Sequence, residues 1–172
     1  MTAVYLIGDS FSDPTYAGDQ EGVSWTHRLM AAYDVTPYAY RGWSNLDIWS
    51  KISIVPDNGL KIINLSHPTR FPKESKLASD LSRRYVSDPT IMNMKAAEKI
   101  VSSHTNSSFI WSPFPGYDHL SAVKYLPFEQ ENELYNLSIA RQNVGNHFTQ
   151  KGNDLLFDIV DRWLQEKLSG TS

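Results

Sequence analysis

Ser10 and His147 are the two residues of this 172-residue chain whose types and surroundings could do covalent chemistry together. Ser10 closes the run Val4-Tyr-Leu-Ile-Gly-Asp-Ser10, in which an apolar stretch of strand type breaks at Gly8 into a small polar turn. A hydroxyl at the carboxyl end of a buried strand stands in the crevice where open α/β sheets bind ligands. Serine is a poor nucleophile until a base takes its proton. His147 could be that base. Of the five histidines (27, 67, 104, 119 and 147), it alone directly precedes a helical pattern with a glycine five residues on, in Gly145-Asn-His-Phe-Thr-Gln-Lys-Gly152. Thr149 is suited to cap that helix, and Gly152 to let its first turn approach the sheet closely. Serine early and histidine late, each at the mouth of a helix, is the arrangement of a serine esterase. The plainer alternatives are a turn serine that caps the next segment and a loop histidine on the surface.

These residues resemble the SGNH (GDSL-like) hydrolase family in three blocks and in the right order. Gly8-Asp9-Ser10 matches its first block, Arg41-Gly42-Trp43-Ser44-Asn45 looks like its second, and His147-Phe-Thr-Gln-Lys-Gly152 matches its last. The resemblance implies a flavodoxin-like α/β/α sandwich and a serine hydrolase of carboxylic esters that needs no metal or other cofactor. It implies Ser10 as nucleophile, His147 as base, and the backbone N–H groups of Ser10 and Gly42 as oxyanion donors. The substrate would be a small-molecule ester, for which acylated sugars and lipids are both candidates.

Two positions depart from the family pattern. Its aspartate three residues before the histidine is Val144 here, between Asn143 and Asn146, and an amide cannot stabilise an imidazolium with a full charge. Loss of that carboxylate costs about 10⁴ in rate where it is essential. The site is then a Ser–His dyad, unless Asp118, in the loop after the fourth strand, supplies the acid. The oxyanion asparagine after the third strand is also missing. The chain runs Ser66-His67-Pro68-Thr69-Arg70, and the asparagine slot falls about at Pro68, which has no N–H to give. His67, Thr69 or Arg70 could substitute, and Asn45 could reach inward. Losing one such donor costs about 10²–10³ in rate. A strand-end arginine could instead clamp an anionic group of the substrate. Asn45, His67 and Arg70 are therefore the expected substrate-facing residues. Two rival functions stay open: an acyltransferase using the same site, and a degraded glycan-binding module.

The aromatic stretch Trp111-Ser-Pro-Phe-Pro-Gly-Tyr117 to Tyr125-Leu-Pro-Phe128 would form either a pocket wall or a loop that buries its own rings. Asp9, Asp13 and Asp19 lack metal-ligand spacing, so no metal is expected. With 16 basic and 19 acidic residues the formal charge is −3, which offers no patch for nucleic acid. The absence of cysteine excludes disulfides and thiolate chemistry. No apolar run reaches the roughly 20 residues of a membrane span. No charged and then apolar leader precedes Val4, so the expectation is a cytoplasmic protein. Oligomeric state is not legible.

The elements that must position these groups alternate. Strands are expected at Val4–Ile7, Thr36–Tyr40, Leu60–Leu65 and Ser108–Trp111. Helices are expected at Val23–Tyr33, after an N-cap at Ser44, over Thr90–Ser103, and over Thr149–Leu168. One or two helices would fill 74–104, and 117–146 would be irregular with a short helix near 128–140. In the last helix Leu155, Leu156, Ile159, Val160, Trp163 and Leu164 should face inward. Short apolar strands between amphipathic helices predict an α/β fold, a three-layer α/β/α sandwich with four or five parallel strands, as one domain over 1–172.

Overall fold

The computed structural model describes residues 2–14, 24–70, 89–104, 107–126 and 150–170. In chain order they form β1 (Val4–Gly8), α1 (Trp25–Ala32), β2 (Val35–Ala39), α2 (Asn45–Ile52), β3 (Leu60–Asn64), α3 (Pro89–His104), β4 (Ser108–Ser112), β5 (Val123–Tyr125) and α4 (Gln150–Leu168). The five strands make one sheet in the order β2-β1-β3-β4-β5, and every neighbouring pair is parallel. The strand order reverses between β1 and β3. Ligands of doubly wound sheets bind outside the carboxyl ends of the strands at that switch point.

Alternation along β1 divides the core into two. Val4 and Leu6 point to one face, where they meet Ile62, Phe109 and Trp111 of the sheet, Trp25 and Leu29 of α1, and Leu156, Val160 and Leu164 of α4. Tyr5 and Ile7 point to the other, with Ile63, Leu65 and Ile110, Ile48 and Ile52 of α2, and Ala97 and Ile100 of α3. Helices cover both faces, so the fold is a three-layer α/β/α sandwich. Strands buried on both sides are predominantly apolar, as in Val4–Ile7 of β1, Ile62–Ile63 of β3 and Phe109–Trp111 of β4, although β3 also buries Lys61 and Asn64. Trp25 and Trp111 meet edge to face across the first core, with ring centroids 5.9 Å apart. Truncating either ring would cost about 3–5 kcal/mol.

The helix starts follow their caps. Ser24 accepts from the His27 N–H at the head of α1. Ser44 forms a capping box with Asp47 at the head of α2: its Oγ accepts from the Asp47 N–H, and the Asp47 carboxylate accepts from the Ser44 N–H at 2.9 Å. Leu155 on α4, expected inward, is exposed. The stretch expected to be irregular contains β5, whose three residues add to the edge of β4 through the pairs Ile110–Val123, Trp111–Lys124 and Ser112–Tyr125. The helix expected near 128–140 lies outside the described residues, as do 74–88 of the stretch expected to be helical. No helix among the described residues is long and apolar enough to cross a membrane.

Candidate functional site

Three loops leave the carboxyl edge of the sheet together. The first follows β1 and carries Ser10. Asp9, fully buried, organises it: its Oδ1 accepts from the Phe11 N–H at 3.1 Å, and its carbonyl accepts from the Ser12 N–H at 3.0 Å. Such an Asx turn folds the chain back on itself and leaves Ser10 half-buried at the bend. Gly8 is required by close approach. A Cβ there would sit 2.8 Å from the Asn64 Cβ and 3.1 Å from the Ser12 Cβ, so any side chain would push the turn off β3.

The second loop follows β2. The Tyr40 N–H donates to the Gly8 carbonyl at 3.1 Å, and the Arg41 N–H to Asp13 Oδ2 at 3.2 Å. Gly42 is thus stitched beside the serine turn. Its φ of +82° is a left-handed conformation that a residue with a Cβ would adopt only under strain. Among the described residues no partner takes the N–H of Gly42 or of Ser10.

The structure differs from expectation at Asn45. It is fully buried, and its amide is spent on the fold. Oδ1 accepts from the Ser66 N–H at 2.8 Å, while Nδ2 donates to the Tyr117 hydroxyl at 2.6 Å and, more weakly, to the Ser66 and Asn93 carbonyls at 3.4 Å each. Tyr117 in turn donates to the Ser66 carbonyl. Burial pushes the Tyr117 phenol well above its ordinary range, so it remains a donor at any working pH. Asn45 therefore fixes the loop after β3 rather than meeting a ligand.

That third loop carries His67, Pro68, Thr69 and Arg70. The Arg70 N–H closes a tight turn on the His67 carbonyl at 3.1 Å, and the Asn93 amide donates to the Arg70 carbonyl. The Arg70 Nη1 lies 3.4 Å from Asp9 Oδ2, with 27% of its side chain exposed. The His67 Nδ1 accepts from the Thr69 N–H at 3.2 Å and lies 2.8 Å from Thr69 Oγ1. Because a backbone N–H can only donate, Nδ1 carries no proton, and Nε2–H is the free donor of this ring. Burial first and the Arg70 charge second hold the His67 pKa down, which keeps it neutral.

Burial raises the Asp9 carboxyl above its ordinary range, and the Arg70 charge, the Phe11 N–H and Ser66 offset that only in part. The folded state thus holds this proton more tightly than the unfolded chain. The associated stability is present in full below about pH 4 and drains away as pH rises through the folded-state pKa. Asp9→Asn keeps the acceptor for Phe11 and removes the titration. The difference in Tm, variant minus wild type, should therefore move in favour of the variant between pH 4 and 7. Thermal melts across that range check this; a difference that stays constant would show that the Asp9 carboxyl is not perturbed.

In the aromatic stretch Trp111 and Tyr117 are buried, while Phe114 and Tyr125 are partly exposed. Trp111 is part of β4, and Tyr117 is in the second core. Phe114 faces the site, with its ring edge-on to both Phe11 (5.4 Å) and His67 (5.0 Å). Asp118 is exposed. His147 and Val144 lie outside the described residues, and so does Phe128. The helix that follows His147 is anchored near the serine turn through Trp25. The indole Nε1–H donates to the Phe11 carbonyl at 2.8 Å, and the Trp25 N–H donates to Asn153 Oδ1 in the first turns of α4 at 3.0 Å. Among the described residues no three His, Asp or Glu side chains converge to hold a metal ion.

Four polar residues that build this site were not legible in the sequence in these roles: Asp9 beneath Arg70, Asn93, Tyr117 and Asn153. Asn93 and Asn153 each interrupt the inward face of a helix, the only sign either gave. No family model matches this chain, and no curated protein matches it.

Proposed function

We propose that this chain is a serine esterase of the SGNH type, acting on a small-molecule carboxylic ester. The observation that carries the reading is the short link from the serine turn to the last helix: Phe11 carbonyl, Trp25 and Asn153 in sequence. It ties the start of α4 to the residue next to Ser10. His147 is three residues before Gln150, a chain reach of about 10 Å. The strand order supports the same reading, since Ser10 follows β1 at the switch point and Gly42 follows its neighbour β2.

In this mechanism the Ser10 Oγ attacks the ester carbonyl as His147 takes its proton. The N–H groups of Ser10 and Gly42 donate to the oxyanion. A left-handed Gly42 turns its N–H out of the usual helical or strand pairing, so this donor is ready before substrate arrives. His147 returns the proton to the leaving alcohol, and water, deprotonated by His147, releases the acyl group. Val144 leaves the histidine without the family's carboxylate in its usual place. Activity below that of a full triad is expected.

Incubation with a fluorophosphonate tests the reading directly. One phosphonyl group should add to the protein, map to the peptide containing Ser10, and be lost in Ser10→Ala. A folded wild-type protein that takes up no label would remove the esterase proposal.

A further inference from the structure

We propose that the His67–Arg70 turn is an anion-binding element, which selects esters bearing a carboxylate or phosphate near the scissile bond. The selection of esters rests on the esterase reading above, whereas the binding of an anion does not. The turn follows β3, and β1, whose following loop carries Ser10, is the strand beside it at the switch point. Arg70 projects from a backbone held on both sides, by its own N–H on the His67 carbonyl and by the Asn93 amide on its carbonyl. Asn93 is tied in turn to Asn45, and Pro68 within the turn is buried. Little backbone entropy is left to lose when a ligand arrives.

The guanidinium is oriented by Asp9 but not used up by it. At 3.4 Å the Nη1–Oδ2 approach is longer than the 2.7–2.9 Å of a charge-assisted hydrogen bond. The other Asp9 oxygen serves the Phe11 N–H. Burial holds Asp9 toward its neutral form, which weakens its repulsion of a second anion. The guanidinium carries five N–H donors in a planar fork that suits a carboxylate or phosphate. The same turn supplies a neutral second donor, the His67 Nε2–H. Phe114 packs against both His67 and Phe11, so the donor is held in register with the nucleophile turn.

Two measurements test this. Inorganic phosphate and adipate are titrated into the wild type, Arg70→Ala and Arg70→Lys, with calorimetry as readout. Saturable binding in the wild type should weaken about tenfold or more in Arg70→Ala, and by less in Arg70→Lys, which keeps the charge but not the fork. Mono-4-nitrophenyl adipate is then compared with 4-nitrophenyl hexanoate, its neutral partner of equal chain length. Arg70→Ala should lower kcat/KM for the adipate ester about tenfold more than for the hexanoate ester, through KM. Absence of saturable binding, or equal binding by wild type and Arg70→Ala, overturns the proposal. So does an equal fall in kcat on both esters, which would make Arg70 an oxyanion donor. Arg70-dependent anion binding in a protein that no fluorophosphonate labels would leave the anion site standing and remove the esterase.

Discussion

Ser10→Ala should lower kcat on a 4-nitrophenyl ester by about 10³ or more, and His147→Ala should cost nearly as much. The two losses should not add. Once the nucleophile is gone the base has no proton to take, and once the base is gone the hydroxyl stays protonated at neutral pH. The double variant should therefore sit within a few-fold of either single one. What survives is binding and the oxyanion donors, the Gly42 N–H among them. Steady-state kinetics on the three variants, with each shown to be folded by its melting curve, make the comparison. A His147→Ala protein as active as the wild type would assign the base to another residue. Strictly additive losses would mean that Ser10 and His147 act in separate steps.

Asn45→Ala should lower stability by about 2–4 kcal/mol, or Tm by roughly 5–15 °C for a chain of this size. Alanine leaves the Ser66 N–H without an acceptor and takes a donor from the Tyr117 hydroxyl, both in a site with no solvent access. Each unsatisfied buried group costs about 1–3 kcal/mol. The loop after β3 should loosen with it, because Asn45 joins Ser66 to Asn93, and Asn93 holds Arg70. A substrate-contacting asparagine behaves in the opposite way: Tm unchanged and KM raised. Thermal melts and kinetics on the same preparation separate the two.

Much of the scaffold was legible because it rests on short-range rules. The four expected strands correspond to β1 to β4 within one or two residues, since each is a short run rich in β-branched or aromatic residues that ends at a glycine or a polar turn. The Ser44 cap was readable because a helix N-terminus must satisfy its free N–H groups, and serine followed by Asp47 does so. β5 was hidden. Three residues, Val-Lys-Tyr, carry no period of their own and become a strand only because the β4 edge offers partners. Leu155 misled for a related reason. Helical spacing gives the direction of a face but not how far the neighbouring sheet extends beneath it.

The candidate site divides in the same way. Sequence alone offered the nucleophile candidate Ser10 and, through the family resemblance, a glycine donor at Gly42 and a vacant asparagine slot at Pro68; the left-handed φ of Gly42 came only with the structure. Tertiary structure decided what the polar side chains do. Asn45 and Arg70 were both candidates to meet substrate, and nothing local separates an asparagine one residue into a helix from an arginine at a strand end. Folding buries Asn45 among the Ser66 backbone, the Asn93 carbonyl and the Tyr117 hydroxyl, from positions 21, 48 and 72 residues away. It leaves Arg70 partly in solvent above a buried Asp9. A buried amide must find partners and a partly exposed guanidinium need not, so long-range packing, not the local sequence, decides what each side chain contacts.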